Sequence, residues 1–226
     1  MNSNLKHSLF ALLLLAVLSG SIRAQNVNTY GFLPTVNVNA KLPKDWFTNL
    51  KIESRQEIYQ DDFDYSYLRT DLLFVAGKKL GFSTKLAVGY QVIFENQGGV
   101  NHRFIQQIHN LKKYRTFILN HRFQADQTFS SNADTEYRIR YRLSTEIPLN
   151  GQTLDANELY LKVSNEYLNA VQHSEYDLEI RVAAFVGYVF SPKTKLEIGF
   201  DNRVDAFIDD RLRNRFWLGL NIFQSL

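Results

Sequence analysis

TEYRIRYRLSTEI, residues 135–147, alternates between apolar and polar almost without a break. Tyr137, Ile139, Tyr141, Leu143 and Ile147 fall on one side of an extended chain, and Arg138, Arg140, Arg142, Ser144 and Glu146 fall on the other. Side chains two apart share a face only in a strand, whereas a helix would scatter them around its axis. The stretch therefore predicts one long strand with a greasy face and a charged face.

The same pattern recurs along the chain. In 176–190, Tyr176, Leu178, Ile180, Val182, Ala184, Val186 and Tyr188 oppose Asp177, Glu179 and Arg181. In 82–95, Phe82, Leu86, Val88, Tyr90, Val92 and Phe94 oppose Lys85, Gln91 and Glu95. At the C-terminus Phe216, Leu218, Leu220 and Ile222 oppose Arg213, Arg215 and Asn221. Reading outward gives eleven runs, at 29–42, 46–59, 65–78, 82–95, 102–112, 115–129, 135–147, 158–170, 176–190, 194–207 and 212–224. Soluble strands average ~5–6 residues, and a tilted membrane-spanning strand needs ~9–11. The expected fold is all-β, an antiparallel transmembrane β-barrel of about 10–12 strands with a charged narrow lumen.

Alternation alone does not say which face meets solvent, because a soluble barrel also alternates, with its apolar side inward. Two features favour the inverted arrangement. The apolar faces run up to seven residues deep. Aromatic residues gather near strand ends (Trp46, Phe47, Tyr59, Phe63, Tyr65, Tyr114, Phe129, Tyr176, Tyr188, Phe190 and Phe207), as in interfacial girdles. The connections are expected to alternate in length. Residues 42–45, 79–81, 113–114 and 191–193 make short turns; 60–64, 96–101, 130–134, 171–175 and 208–211 make longer polar loops; 150–157 is a long loop on the short-turn side. Eleven conflicts with the even count usual in single-chain bacterial barrels, so either 29–42 is not a full strand, leaving ten, or a twelfth is hidden.

The N-terminus reads as an export signal. Lys6 precedes an unbroken apolar run, Leu9 to Leu18, and Ser19-Gly20-Ser21-Ile22-Arg23-Ala24 supplies a small-residue cleavage region. The expected organisation is a signal peptide over 1–24 and a single barrel domain over 25–226, with cleavage after Ala24. The run is about half the ~20 residues of a spanning helix. The chain has no cysteine, which excludes lipid acylation at Cys and disulfides. The formal charge is +3; Lys6 and Arg23 leave with the signal and no acid does, so 24 bases face 23 acids in the mature chain, a net of +1. That balance gives no case for a nucleic-acid partner.

Tyr137-Arg138-Ile139-Arg140-Tyr141-Arg142-Leu143, followed by Ile147-Pro148-Leu149 and Leu161-Lys162-Val163-Ser164-Asn165-Glu166, with His121-Arg122-Phe123 in the preceding strand, resembles an uncharacterised outer-membrane barrel family, domain of unknown function 2490. The resemblance covers nearly the whole mature chain. It implies a barrel and an outer-membrane location in a Gram-negative bacterium, and it supplies no reaction.

Chemistry would sit on the charged faces. The inward set is Lys51, Glu53, Arg55, Glu57, Arg69, Asp71, Lys85, Arg122, Asp126, Arg138, Arg140, Arg142, Glu146, Lys162, Glu166, Glu179, Arg181, Glu197, Asp201, Arg203, Asp205, Arg213 and Arg215. Paired charges that fill a narrow barrel are one use of such a set, and an arginine-lined selective pore is another. The stripe of Arg138, Arg140 and Arg142 can grip phosphate or carboxylate groups, or pair with Glu146, Glu166 and Glu179. An outer-membrane hydrolase is the enzyme alternative; His173-Ser174-Glu175 is its only candidate cluster, since His102, His109 and His121 have no evident serine partner. Asp61, Asp62, Asp64, Asp209 and Asp210 are either solvated loop carboxylates or ligands for a divalent ion. HExxH, CxxC and glycine-rich phosphate loops are absent, so no catalytic residue, metal or cofactor is expected. The expected role is a narrow channel or an envelope-structural barrel, with outer-membrane lipids, lipopolysaccharide and the barrel-insertion machinery as partners. A soluble periplasmic binding barrel is a further alternative.

Overall fold

The computed structural model describes residues 27–60, 62–96, 98–131, 133–207 and 212–226. The segment read as a signal peptide, 1–24, and the carboxylates Asp61, Asp209 and Asp210 lie outside the described residues. Eleven strands are described: β1 (Val27–Lys41), β2 (Trp46–Gln60), β3 (Asp62–Leu80), β4 (Thr84–Glu95), β5 (Val100–Lys113), β6 (Ile118–Ser130), β7 (Ala133–Pro148), β8 (Leu159–Gln172), β9 (Glu175–Ser191), β10 (Thr194–Asp205) and β11 (Arg213–Ser225). Each pairs antiparallel with the next, and β1 pairs parallel with β11, from Val27↔Arg213 to Asn39↔Ser225, closing the barrel.

The parallel seam is a matter of parity. In a meander every strand reverses direction, so an odd count leaves the first and last pointing the same way. The expectation of ten or twelve strands is thereby corrected: the first run is a complete strand, and the odd number is accommodated by one parallel pair. The start of β1 and the end of β11 consequently lie at opposite ends of the barrel. The expected alternation of short turns and long loops is also corrected. At the end where β1 begins, the strand limits leave one, four, two, two and seven residues between neighbours; at the other end they leave four, three, four, ten and two. Strands run on into the polar stretches because polarity does not interrupt a backbone ladder, so loop length does not distinguish the two ends.

Eleven strands ~4.8 Å apart and tilted ~40° define a backbone cylinder of about 11 Å radius. The pleat sends alternate side chains into it. Asp71, Asp126, Glu166, Glu197 and Arg203 are buried inside, while outward-facing Ile139 is 70% exposed and Phe200 65% exposed. Of the aromatic residues read as strand-end girdles, Trp46, Phe63, Tyr65, Tyr114, Phe129, Tyr176, Phe190 and Phe207 are exposed. Phe47 is a correction, because it points inward onto Gly77.

Large rings inside the cylinder are seated on glycines of the neighbouring strand. Tyr160 pairs with Gly187 and lies directly over it. At the seam, Trp217 is buried opposite Gly31; a Cβ there would come 2.4 Å from the Gln56 carbonyl oxygen and 2.5 Å from the indole Cζ3. A Gly31→Val substitution should destabilise the barrel by ~1–3 kcal/mol through overpacking, and Trp217→Ala by ~3–5 kcal/mol through the lost ring. The double variant should be more stable than the sum of the two losses in denaturant unfolding. Strict additivity would show that the ring and the glycine are not seated together.

Candidate functional site

The interior holds a polar chamber of about 400 Å³. At ~30 Å³ per molecule this is room for roughly a dozen waters. Among the described residues, its lining includes eleven cationic side chains and four carboxylates. The cations are Lys51, Arg55, Arg69, Arg103, Arg122, Arg138, Arg140, Arg142, Lys162, Arg181 and Arg203; the acids are Glu53, Asp71, Glu197 and Asp201.

Strand register sets these groups in order. Lys85, His109, Arg122, Arg142, Glu166, Arg181, Arg203 and Arg215 are consecutive partners across β4 to β11. Directly opposed residues lie ~4.5–5.5 Å apart, where like charges repel. Glu166 interrupts the cations. Its Oε1 accepts from Arg122 at 3.0 Å and Arg140 at 2.8 Å, and its Oε2 accepts from Arg142 at 2.5 Å, with Arg181 at 4.0 Å. Towards β11 the remaining cations have carboxylates of their own. Arg181 pairs with Glu179 at 2.5 Å, Arg203 with Asp201 at 2.7 Å, and Arg215 with both Glu179 and Asp205, which also takes Arg213.

The stripe read from 138–142 therefore divides its partners. Arg138 bonds Asp126 at 2.5 Å and Arg140 lies between Asp126 and Glu166, while Arg142 bonds Glu166. Glu146 and Glu179 do not join the stripe: Glu146 lies 3.7 Å from Lys195, and Glu179 faces Arg181 and Arg215. On the opposite wall Arg55 bridges Glu53 and Asp71, and Arg69 pairs with Asp71 at 3.2 Å. Near the other mouth Glu197 accepts from the Tyr160 hydroxyl at 2.8 Å and from Lys162 at 2.9 Å. Of the charges read as inward from sequence, Lys51, Glu53, Arg55, Arg69, Asp71, Arg122, Arg138, Arg140, Arg142, Lys162, Arg181, Glu197, Asp201 and Arg203 line the chamber. Glu166 and Glu179 stand behind guanidiniums, Glu146 lines a smaller pocket with Lys195, and Arg213 is half exposed at the rim.

Arg103, which the sequence reading did not single out, is buried 3.6 Å from Asp126 and donates to Thr128. Ile105, apolar yet on the inner face, blurs the alternation that would have flagged it. His109 also faces the chamber, whereas His102 and His121 sit on the outer face against the hydroxyls of Tyr90 and Tyr141, at 2.7 and 2.9 Å. His173 and Ser174 form a two-residue hairpin turn, both with positive φ, and His173 lies 2.5 Å from Asp134. Among the described residues Ser174 makes no side-chain hydrogen bond to that pair, and no cluster of three or more His, Asp or Glu is placed to hold a metal.

One carboxylate shared by four guanidiniums makes an asymmetric forecast. Glu166→Gln leaves the cations facing one another and should cost ~3–5 kcal/mol. Arg142→Gln, at the most exposed of the four, should cost less than half as much, because three partners remain. Denaturant unfolding of the two purified variants checks this; equal losses would mean that the cluster does not act as one unit.

A family model described as a protein of unknown function, DUF2490, matches residues 31–221. No curated protein and no solved structure matches the chain. The matched span runs from β1 into β11 and takes in the whole cationic row with its carboxylate, so this chain belongs to the DUF2490 family.

Proposed function

We propose that the protein is an outer-membrane β-barrel whose constricted, charge-lined lumen passes small hydrophilic solutes. The observation that carries this reading is the inversion of the side chains. Leucines, valines and phenylalanines stand exposed around the outside, while carboxylates and guanidiniums are buried around a chamber. In water such an outer face would be one continuous apolar patch far beyond what soluble monomers carry. In a bilayer it meets hydrocarbon, and a closed barrel leaves no strand edge unsatisfied there.

Export through a cleaved signal over 1–24 fits this location. Outer-membrane lipids and lipopolysaccharide then surround the exposed face, and the alternating final strand is what the barrel-insertion machinery would receive. In this reading the end of β11 lies in the periplasm and the start of β1 at the cell surface, which accords with the two strands running parallel. A second reading, an envelope-structural barrel without conductance, is favoured by the ion pairs that crowd the lumen wall between nearby strands.

Cell fractionation should find the protein in the outer membrane, with a gel band that shifts on heating. Recovery in the soluble periplasmic fraction would sink the membrane reading and support a soluble binding barrel. In planar bilayers the purified protein should give small discrete conductance steps; their absence from a folded barrel would leave the structural role. An epitope ahead of Val27 should be labelled on intact cells and one after Leu226 should not. Labelling of both from the same side would contradict a spanning odd-stranded barrel. Hydrolysis of lipid or peptide substrates that is lost in Ser174→Ala and His173→Ala would favour the hydrolase alternative.

A further inference from the structure

We propose that the β4–β7 part of the cationic row is a binding site for a small oxyanion of two or more negative charges, of the phosphate and pyrophosphate class. This deepens the solute-passage reading and rests on it for the route by which the anion arrives.

The row is unevenly neutralised. Its β9–β11 half has Glu179, Asp201 and Asp205 within ion-pair distance of Arg181, Arg203 and Arg215. Its β4–β7 half holds the cations Lys85, Arg122 and Arg142 with the His109 imidazole between them, and Glu166 is the one carboxylate within 4.0 Å of any of these four among the described residues. Glu166 is itself shared with Arg140 and Arg181. Lys85 lies instead 5.4 Å from the ring centroid of Phe47.

Hydrogen bonding is as unbalanced as charge. Each guanidinium carries five N–H donors, and one carboxylate accepts about four. Arg122 Nε and Arg138 Nη2 are buried without an acceptor, as is Arg215 Nε in the other half of the row. Arg122, Arg142 and His109 line the chamber, so an anion there meets these side chains directly. Two guanidiniums on adjacent strands can each donate a fork of N–H bonds to one tetrahedral anion, which also relieves their mutual repulsion. The Gln107 and Gln124 side chains, bonded to each other at 2.9 Å on the next row, close the site with neutral groups.

The test is calorimetric titration of pyrophosphate into the folded, detergent-solubilised protein, at ionic strength matched with sodium chloride. Saturable binding at one site per chain is expected. Arg122→Gln and Arg142→Gln should each weaken it about tenfold, the loss of one charge-assisted pair. Arg213→Gln, at the rim outside the chamber, should leave it unchanged. A heat-shifted gel band certifies folding of every variant. A folded wild type that takes up no pyrophosphate, or binds it no better than chloride, overturns the proposal. So does equal weakening by Arg213→Gln. Binding here needs no conductance, so failed conductance would retire the passage reading and leave this site standing, while failed binding by a conducting barrel would do the reverse.

Discussion

A cylinder of about 11 Å radius lined with inward side chains leaves room for a small chamber and not for bulk water, and that confinement governs the interior. An arginine pointing inward cannot retreat into bulk water, so its charge has to be met by a carboxylate on its own strand or on a neighbouring one. The pairing is therefore dense and mostly local. Arg203 takes Asp201 two residues away, Arg181 takes Glu179, and Arg55 takes Glu53. Glu166 is different because it is held by strands on both sides, from β6 and β7 and from β9.

Buried ion pairs add little net stability, since desolvation offsets most of the attraction. What they do specify is register. Arg142 stands opposite Glu166, and Glu166 opposite Arg181. Slipping β8 by two residues would keep every side chain on its proper face and yet set Ser164 or Leu168 against two arginines. A one-residue slip would turn the whole strand inside out. The wrong two-residue alignments are thus penalised by unpaired charge, which apolar contacts on the outer face would not detect.

The seam works by shape rather than by charge. A parallel pair is slightly weaker per residue than an antiparallel one, and β1–β11 is the only such pair among the described strands. Trp217 packed on Gly31 fills the cylinder at this place, and Arg203 lies over the indole at 6.0 Å. The row of charges and the glycine seat meet at this joint, since Arg203 also pairs with Asp201.

The residues alone determined the strands, their approximate limits and which side chains share a face, because the period of two is local and needs no partner. That is why 135–147 could be read from its own alternation. Only the tertiary structure decided the rest. Whether eleven strands close depends on the first and last meeting, and no local pattern encodes that parity. The reach of β2 and β3 into the polar 60–64 stretch depends on a ladder between two strands. The sharing of Glu166 among four arginines from β6, β7 and β9 depends on register, which sets residues tens of positions apart within hydrogen-bonding distance. Charge and face are written in each strand; which charge meets which is settled only when the strands are laid side by side.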